Sequence, residues 1–571
     1  MKRIVLPALA SAALAMGLAF AAPASGALEA RMLADINPGP SASYADRFGA
    51  LGNRLLFSAR TPERGSELWS FDGSVKPVAE VTPGEDDGSP TGMTALGGFS
   101  YFQGFTEATG YELWRTDGTS VSLVKDINPG PAFAYPEDFK LFGGFLYFSA
   151  TTASDGEELW KTDGTTTTQV ANINPGAGNS FPAELTPFNG FLYFRAQGPN
   201  GAELWRTDGT TTTEVDIDPG VSSSNPGEFT PYNGHLYFTA GESGGGYELW
   251  RTDGTTTAIF KDIEPGNVSS NPGGYTIFKG SLWFSAATTA HGRELWATDG
   301  SATTERFDIN PGPGSSGPRF LTVAGNDLYM SAYTDQIGEE LHKTDGTTAS
   351  LVKDIRPGEG GSEPRYLTPL GGSVFMIADT LAEGDELWRA DSSGANLFKD
   401  ILPGTEDSGV NVDGQLFRFG DSLYFRADDG THGFEPWTIT EAVPPPADTK
   451  VSIVVNGKTV KLNRKGVGKL SLTCPATEVS GPCEGSVSAR TAKKFKLKRK
   501  GRKKPVQLAK AKYSIAAGKT SKVTIKLKRP GLKLLRTRKA ARKIIVTASV
   551  RDTAGNSATV RKNLKTGGPP R

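Results

Sequence analysis

Only two of the 571 residues are cysteine and only four are histidine, which removes whole classes of chemistry at the outset. Two cysteines cannot build a zinc site, and His235, His291, His342 and His432 never fall at metal-ligand spacing, so each reads as a loop or packing residue. No nucleophile elbow, HExxH helix or ordered Ser, His and Asp set stands out. Long apolar runs are also missing, apart from Ile4 to Ala22, which argues against a membrane span in the mature chain. That run follows Lys2 and Arg3 and gives way to small residues, the layout of an export signal (1–27) with Ala24 or Ala27 as the cleavage residue. The expected location is therefore secreted, extracellular or cell surface, where Cys474 and Cys483 are expected to be bridged.

What is abundant is turn chemistry. With 70 Gly and 37 Pro, the chain is punctuated too often for a helical protein and reads as all-β. The formal net charge of zero hides a division: Pro446 to Arg571 holds 34 Lys and Arg against 4 Asp and Glu, leaving 28 against 58 before it. Such asymmetry marks two domains with different electrostatic partners, or partners for each other.

Residues 28–440 are built from a repeat. ELWSFDGS starts at Glu67, ELWRTDGT at Glu112, ELWKTDGT at Glu158, ELWRTDGT at Glu203 and Glu248, and ELWATDGS at Glu294. The pattern then frays through ELHKTDGT (Glu340) and ELWRADSSG (Glu386) to FEPWTIT (Phe434), with leucines 45 or 46 residues apart in the first eight units. A second element ending in Pro-Gly, such as DINPG at Asp126, recurs nine times with the same count. One unit reads as four strands, roughly Glu228–Tyr232, His235–Ala240, Tyr247–Arg251 and Thr256–Ile263, with type I′ turns at Asn233-Gly234 and Asp253-Gly254. Apolar groups on both faces, as at Leu236, Tyr237 and Phe238, require cover on both sides. A β-propeller satisfies that, and the fold expected is a large propeller of nine four-stranded blades. The chain opens on ARMLADINPG, a fourth strand, and its last unit lacks one, so an N-terminal strand is expected to close the ring.

These segments resemble the ELWxxDGT repeat family of bacterial exported proteins. The resemblance implies a surface or secreted repeat protein and supplies no catalytic residues; it weakens at His342, Ala390–Ser393 and Pro436. The repeated Trp69, Trp114, Trp160, Trp205, Trp250 and Trp296 hold one structural register, so they read as packing between blades rather than sugar-stacking faces. The Glu before each Leu-Trp is expected to satisfy buried backbone or Arg groups.

The second-to-third strand loops and the blade-to-blade loops share one face and vary most, which makes that face the expected binding surface. Its candidate ligand-face residues are Glu63, Glu107, Asp155, Glu157, Glu242, Asp335, Glu383, Asp385, Asp428 and Asp429. No cofactor is expected; Ca²⁺ is the ion such loops would suit, but none has D-x-D-x-D spacing, and solvated carboxylates are the preferred reading.

A Pro-rich linker, 441–449, leads to a basic β-sandwich over 450–571, expected to hold seven or eight strands with a hairpin at Asn456-Gly457. Its end, around Asp552–Asn556, is similar to bacterial immunoglobulin-like domains. Lys493, Lys494, Lys496, Lys498, Arg499, Lys500, Arg502, Lys503 and Lys504 form a candidate polyanion patch for an anionic envelope polymer or glycan, without the aromatic interleaving of a sequence-specific nucleic-acid reader. The function expected is a non-catalytic binding or adhesion protein, the propeller as ligand platform and the basic domain as anchor. The alternatives are an extracellular carbohydrate-active enzyme using loop carboxylates and a self-assembling matrix protein.

Overall fold

The computed structural model describes residues 28–410, 416–441, 452–475, 483–497, 502–516, 518–551 and 557–567. The expected export signal, most of the linker, Lys498, Arg499, Lys500 and the Asp552–Asn556 motif lie outside the described residues. The chain is all-β, with 58% strand against 3% helix, and divides into two compact units between Ala442 and Val443.

Among the described residues the first unit contains nine four-stranded antiparallel sheets. Sheets 1 to 8 span Asp46–Pro77, Thr91–Lys125, Glu137–Ala171, Ala183–Val215, Gly227–Lys261, Gly273–Phe307, Arg319–Lys353 and Arg365–Lys399, each a meander in chain order. Sheet 9 takes three strands from Phe417–Glu441 and its fourth from Leu28–Met32, which pairs with the strand Phe434–Glu441 in the register Leu28↔Glu441 to Met32↔Trp437. First strands of consecutive sheets lie side by side from sheet 1 to sheet 8, and the strand Ser422–Asp428 of sheet 9 touches the first strand of sheet 1. In each second strand three successive residues are almost wholly buried, as with Leu146, Tyr147 and Phe148, so both faces of the sheet are covered. The cover comes from the neighbour: Trp160 of sheet 3 packs with Tyr101, Leu113 and Ile127 of sheet 2 and the loop after it, and Trp250 and Trp296 repeat the arrangement one and two sheets on from sheet 4. His342, standing where other sheets have Trp, is likewise buried, and burial holds its imidazole below the ordinary range.

The nine glutamates of the repeat, from Glu67 to Glu435, have no exposed surface. Each cap is local: the Glu158 carboxylate accepts the N–H of Ile173 (2.9 Å) and Asn174 (3.1 Å) and the hydroxyl of Ser180 (2.7 Å). The side chain thereby satisfies the backbone of the loop that leads to the next sheet, where no strand partner is present. Glu435 does the same for the N-terminal segment, accepting from Ile36 N (2.9 Å) and Ser43 Oγ (2.8 Å).

Two turn expectations separate here. Asn233 and Gly234 have φ of 47° and 76°, as a type I′ turn needs. The Asp-Gly turn is different. Only Gly254 (φ 97°) is left-handed, because the Asp253 carboxylate accepts the N–H of Thr255 (2.7 Å) and Thr256 (2.8 Å), building a longer Asx-capped loop. The fourth strand accordingly begins at Thr257 rather than Thr256 and ends at Lys261.

In the second unit a three-stranded and a five-stranded sheet contribute to one apolar core, with Leu470, Leu472, Val523 and Ile525 from the former and Val487, Val546 and Ala548 from the latter. The disulfide Cys474–Cys483 is formed. The expected hairpin at Asn456-Gly457 is not: Val454–Val455 pairs antiparallel with Val467–Thr473, whereas Thr459–Val460 crosses to the other sheet and pairs parallel with Ser557–Thr566. The turn signal marks a change of sheet. A short helix, Arg529–Thr537, with Pro530 in its first turn, also went unforeseen.

Candidate functional site

Each first strand of sheets 1 to 8 carries a β-bulge near its start, and the residue after the opening one is left-handed: Arg47, Gly92, Asp138, Glu184, Glu228, Gly274, Phe320 and Tyr366, with φ between 54° and 75°. A bulge re-aims a side chain and gathers near functional sites. Here it lines a cavity of about 990 Å³ with residues from seven sheets, among them Asp138, Glu184, Glu228, Phe320, Tyr366 and Arg418. Side chains at this level stitch neighbouring sheets: Arg47 donates to Thr91 Oγ1 (2.6 Å), Glu184 accepts Glu228 N–H (2.5 Å) and Glu228 accepts Gly274 N–H (2.5 Å). Asp138 occupies the same place one methylene shorter and makes no such bond among the described residues.

Asp138 belongs instead to a group of carboxylates on sheet 3. Glu137 opens the first strand opposite Ser149, and Glu157 lies near the start of the third strand, its N–H held by Asn179 Oδ1 at 2.9 Å. All three carboxyls stand above their ordinary range. Withdrawal from water is the main cause for each; Asp138 raises Glu137, and both raise Glu157. Three groups pull the other way, the Arg47 guanidinium on Glu137, the Arg195 guanidinium on Asp138 and the Ser149 hydroxyl on Glu157. Burial thus disfavours charge on all three, and at Asp138 the Arg195 guanidinium offsets part of that effect.

A second cavity, about 450 Å³, adjoins this group at Glu137 and is lined by Tyr44, Tyr111, Tyr135, Asp46, Asp87, Arg47 and Arg60 from sheets 1 to 3 and the loops before them. Tyr44 and Tyr135 stand at φ 50° and 48°, where a bulky residue costs roughly 1–2 kcal/mol. A third cavity, about 740 Å³, lies over sheets 5 to 7 between Glu228, Arg293, Arg319, Tyr333 and Glu339, with Arg319 and Glu339 in a close ion pair.

The ten anticipated ligand-face acids do not converge. Glu63, Glu107, Glu242 and Asp335 are exposed on separate loops. Asp155 accepts from Asn172 (3.2 Å), Asp428 from Gly430 N–H (2.7 Å), Glu383 from the Thr380 hydroxyl, and Asp429 pairs with His432 (2.8 Å). Asp385 is ion-paired to Arg365 and lies with Asp379 and Asp407 within 4.8 Å, a grouping in which Asp379 is bound to Arg356. His291, Glu305 and Asp308 form a second such grouping, formed by the fold from a loop and the strand that follows. Of the ten, Glu157 alone joins the sheet 3 group. Its partners Glu137 and Asp138 were missed, although the positions vary from unit to unit where the flanking residues recur. In the second unit Lys493, Lys494, Lys496, Arg502, Lys503 and Lys504 are exposed along the paired strands Cys483–Phe495 and Lys504–Ile515 and the segment joining them.

No family model matches the chain, and no curated protein matches it. Among solved structures it is similar to a prolyl endopeptidase over 68% of its length (9% identity, TM-score 0.34, 54% of that chain covered) and to a Mycobacterium tuberculosis puromycin-hydrolysing peptidase over 60% (13% identity, TM-score 0.33, 60% of that chain). A Pyrococcus horikoshii acylaminoacyl peptidase is similar over 74% (10% identity, TM-score 0.31, 60% of that chain). The chain thus spans between half and two thirds of the length of these peptidases, and at such identity the likeness concerns fold alone. The expectation of a non-catalytic binding and adhesion protein is corrected here: the similar solved structures include peptidases, and a fold by itself carries no preference for binding without chemistry. Among the described residues no helix is long and apolar enough to cross a membrane.

Proposed function

We propose that this chain is a secreted hydrolase whose reacting groups are carboxylates at the mouth of a closed ring of nine blades. The observation that carries the reading is the sheet 3 group: Glu137 and Asp138 adjacent at the bulge of the first strand and Glu157 near the start of the third, with both of the former acting on Glu157 and the Arg195 charge acting on Asp138. Glu157 protonates the leaving group, and Asp138 activates water or attacks directly, the division of labour open to two carboxylates across one bond. The ring is supported by the pairing of Leu28–Met32 into sheet 9 and by seven sheets lining one cavity. In the same reading the chain belongs with the ELWxxDGT proteins, its second unit is an immunoglobulin-like sandwich, and the exposed lysines of that unit meet an anionic polymer.

The test is turnover of dye-linked soluble polysaccharides by the secreted full chain. Hydrolysis is expected, falling by roughly 100-fold or more in E157Q and in D138N. Hydrolysis that persists at full rate in both variants, or no hydrolysis at all, overturns the assignment.

A further inference from the structure

We propose that the cavity over sheets 1 to 3 is a subsite for a neutral sugar residue, with Tyr44 and Tyr135 as its stacking faces. Tyr44 and Tyr135 are 53% and 44% exposed. Their backbone position recurs through the repeat: the N–H of Tyr44, Ser89, Tyr135, Asn225, Asn271, Gly317 and Glu363 each bonds the carbonyl at the start of the adjoining third strand, and each residue is left-handed. Asn and Gly adopt that backbone at little cost, and sheets 5 to 7 use them. A tyrosine there strains the chain and still leaves about half of its surface to solvent. Strain kept at an exposed aromatic is explained by what the ring meets from solvent.

The rings are fixed before any ligand arrives. Tyr135 stacks on Tyr111 with centroids 5.2 Å apart, and Tyr44 stacks on Phe434 at 5.9 Å. Charge in the cavity is largely cancelled within it: Arg60 pairs with Asp87 (3.4 Å) and Arg47 with Asp46 (3.8 Å). Flat aromatic faces beside paired carboxylates and guanidinium groups suit a ligand with apolar ring faces and a rim of hydroxyls, and give a free cation or anion no net field. Glu137 lines the cavity, so a sugar held there places its glycosidic neighbour at the sheet 3 carboxylates. In that respect the inference rests on the hydrolase reading and names its substrate class.

The experiment is calorimetric titration of the full chain with neutral hexaoses of the cello, xylo, malto and manno series, and with choline as a cationic probe. Variants Y44N and Y135N place the residue that the repeat itself uses on this backbone, so folding should be kept. At least one hexaose is expected to bind, at least tenfold more weakly to either variant, with unchanged or higher thermal midpoints and with E157Q binding as the parent does. Unaltered affinity in both variants, no binding by any hexaose, or choline binding in preference overturns the subsite. Binding that behaves as expected while no hexaose or polysaccharide is cleaved would retain the subsite and remove the hydrolase reading instead.

Discussion

Glu157 and Glu158 are neighbours in sequence with opposite surroundings. Glu158 recurs in all nine units, is wholly buried and is held by three donors that belong to the scaffold. Glu157 stands where other units have Ser66, Tyr111, Ala202, Tyr247, Arg293, Glu339, Asp385 or Phe434, and it faces other carboxylates. In a repeat protein the recurring residue maintains the blade, and the residue that changes is free to serve a ligand. The same contrast runs between Trp160, packed against sheet 2, and Tyr135, half-exposed on the cavity of about 450 Å³.

The comparison is broken most severely from the repeated side. W160A removes the largest side chain of an intersheet core and is expected to cost about 3–5 kcal/mol, read by denaturant unfolding. E158A leaves buried N–H groups without an acceptor and is expected to cost about 3 kcal/mol or more in the same measurement. In the second unit, C474S opens the bridge across a short loop and should cost about 2–3 kcal/mol, visible as a lower unfolding midpoint of that unit.

Acidity sharpens the same contrast. Burial pushes Glu67, Glu112 and Glu386 up to about 7. Between the unfolded value, near 4.5, and about 7 the folded chain holds protons that the unfolded chain has released, so stability falls as pH rises through that window. The turn aspartates behave oppositely: hydrogen bonds from Thr256 and Thr255 hold Asp253 down at about 2, and its contribution is lost as pH drops from 3.8 towards that value. Calorimetric midpoints should therefore peak near pH 4 to 5 and decline on both sides. A profile rising steadily from pH 5 to 7 would mean that the repeated glutamates are stabilised as anions.

Much of the fold could be read from residues alone, because four short strands per 45 or 46 residues, apolar on both faces, admit few packings. The packing role of Trp160 and the capping role of Glu158 both followed from their recurrence in one register of the repeat. The bulge at Asp138 was not legible: Pro136 stands just before it, but a proline there signals a turn and does not tell that the strand it introduces opens on a left-handed residue. Thr459–Val460 was misassigned for a related reason: Asn456-Gly457 specifies a turn, but partner choice was decided by the distant strand Ser557–Thr566. Scattered loop acids were overvalued, because loop position alone does not tell which carboxylates the bulges turn inward.

The division between repeated and varied residues is tested most directly by thermal unfolding and turnover of E157A and E158A side by side. E158A should lose about 5 °C or more of midpoint, whereas E157A should unfold with the parent and lose hydrolysis. A midpoint for E157A as low as that of E158A would contradict the assignment of Glu157 to chemistry.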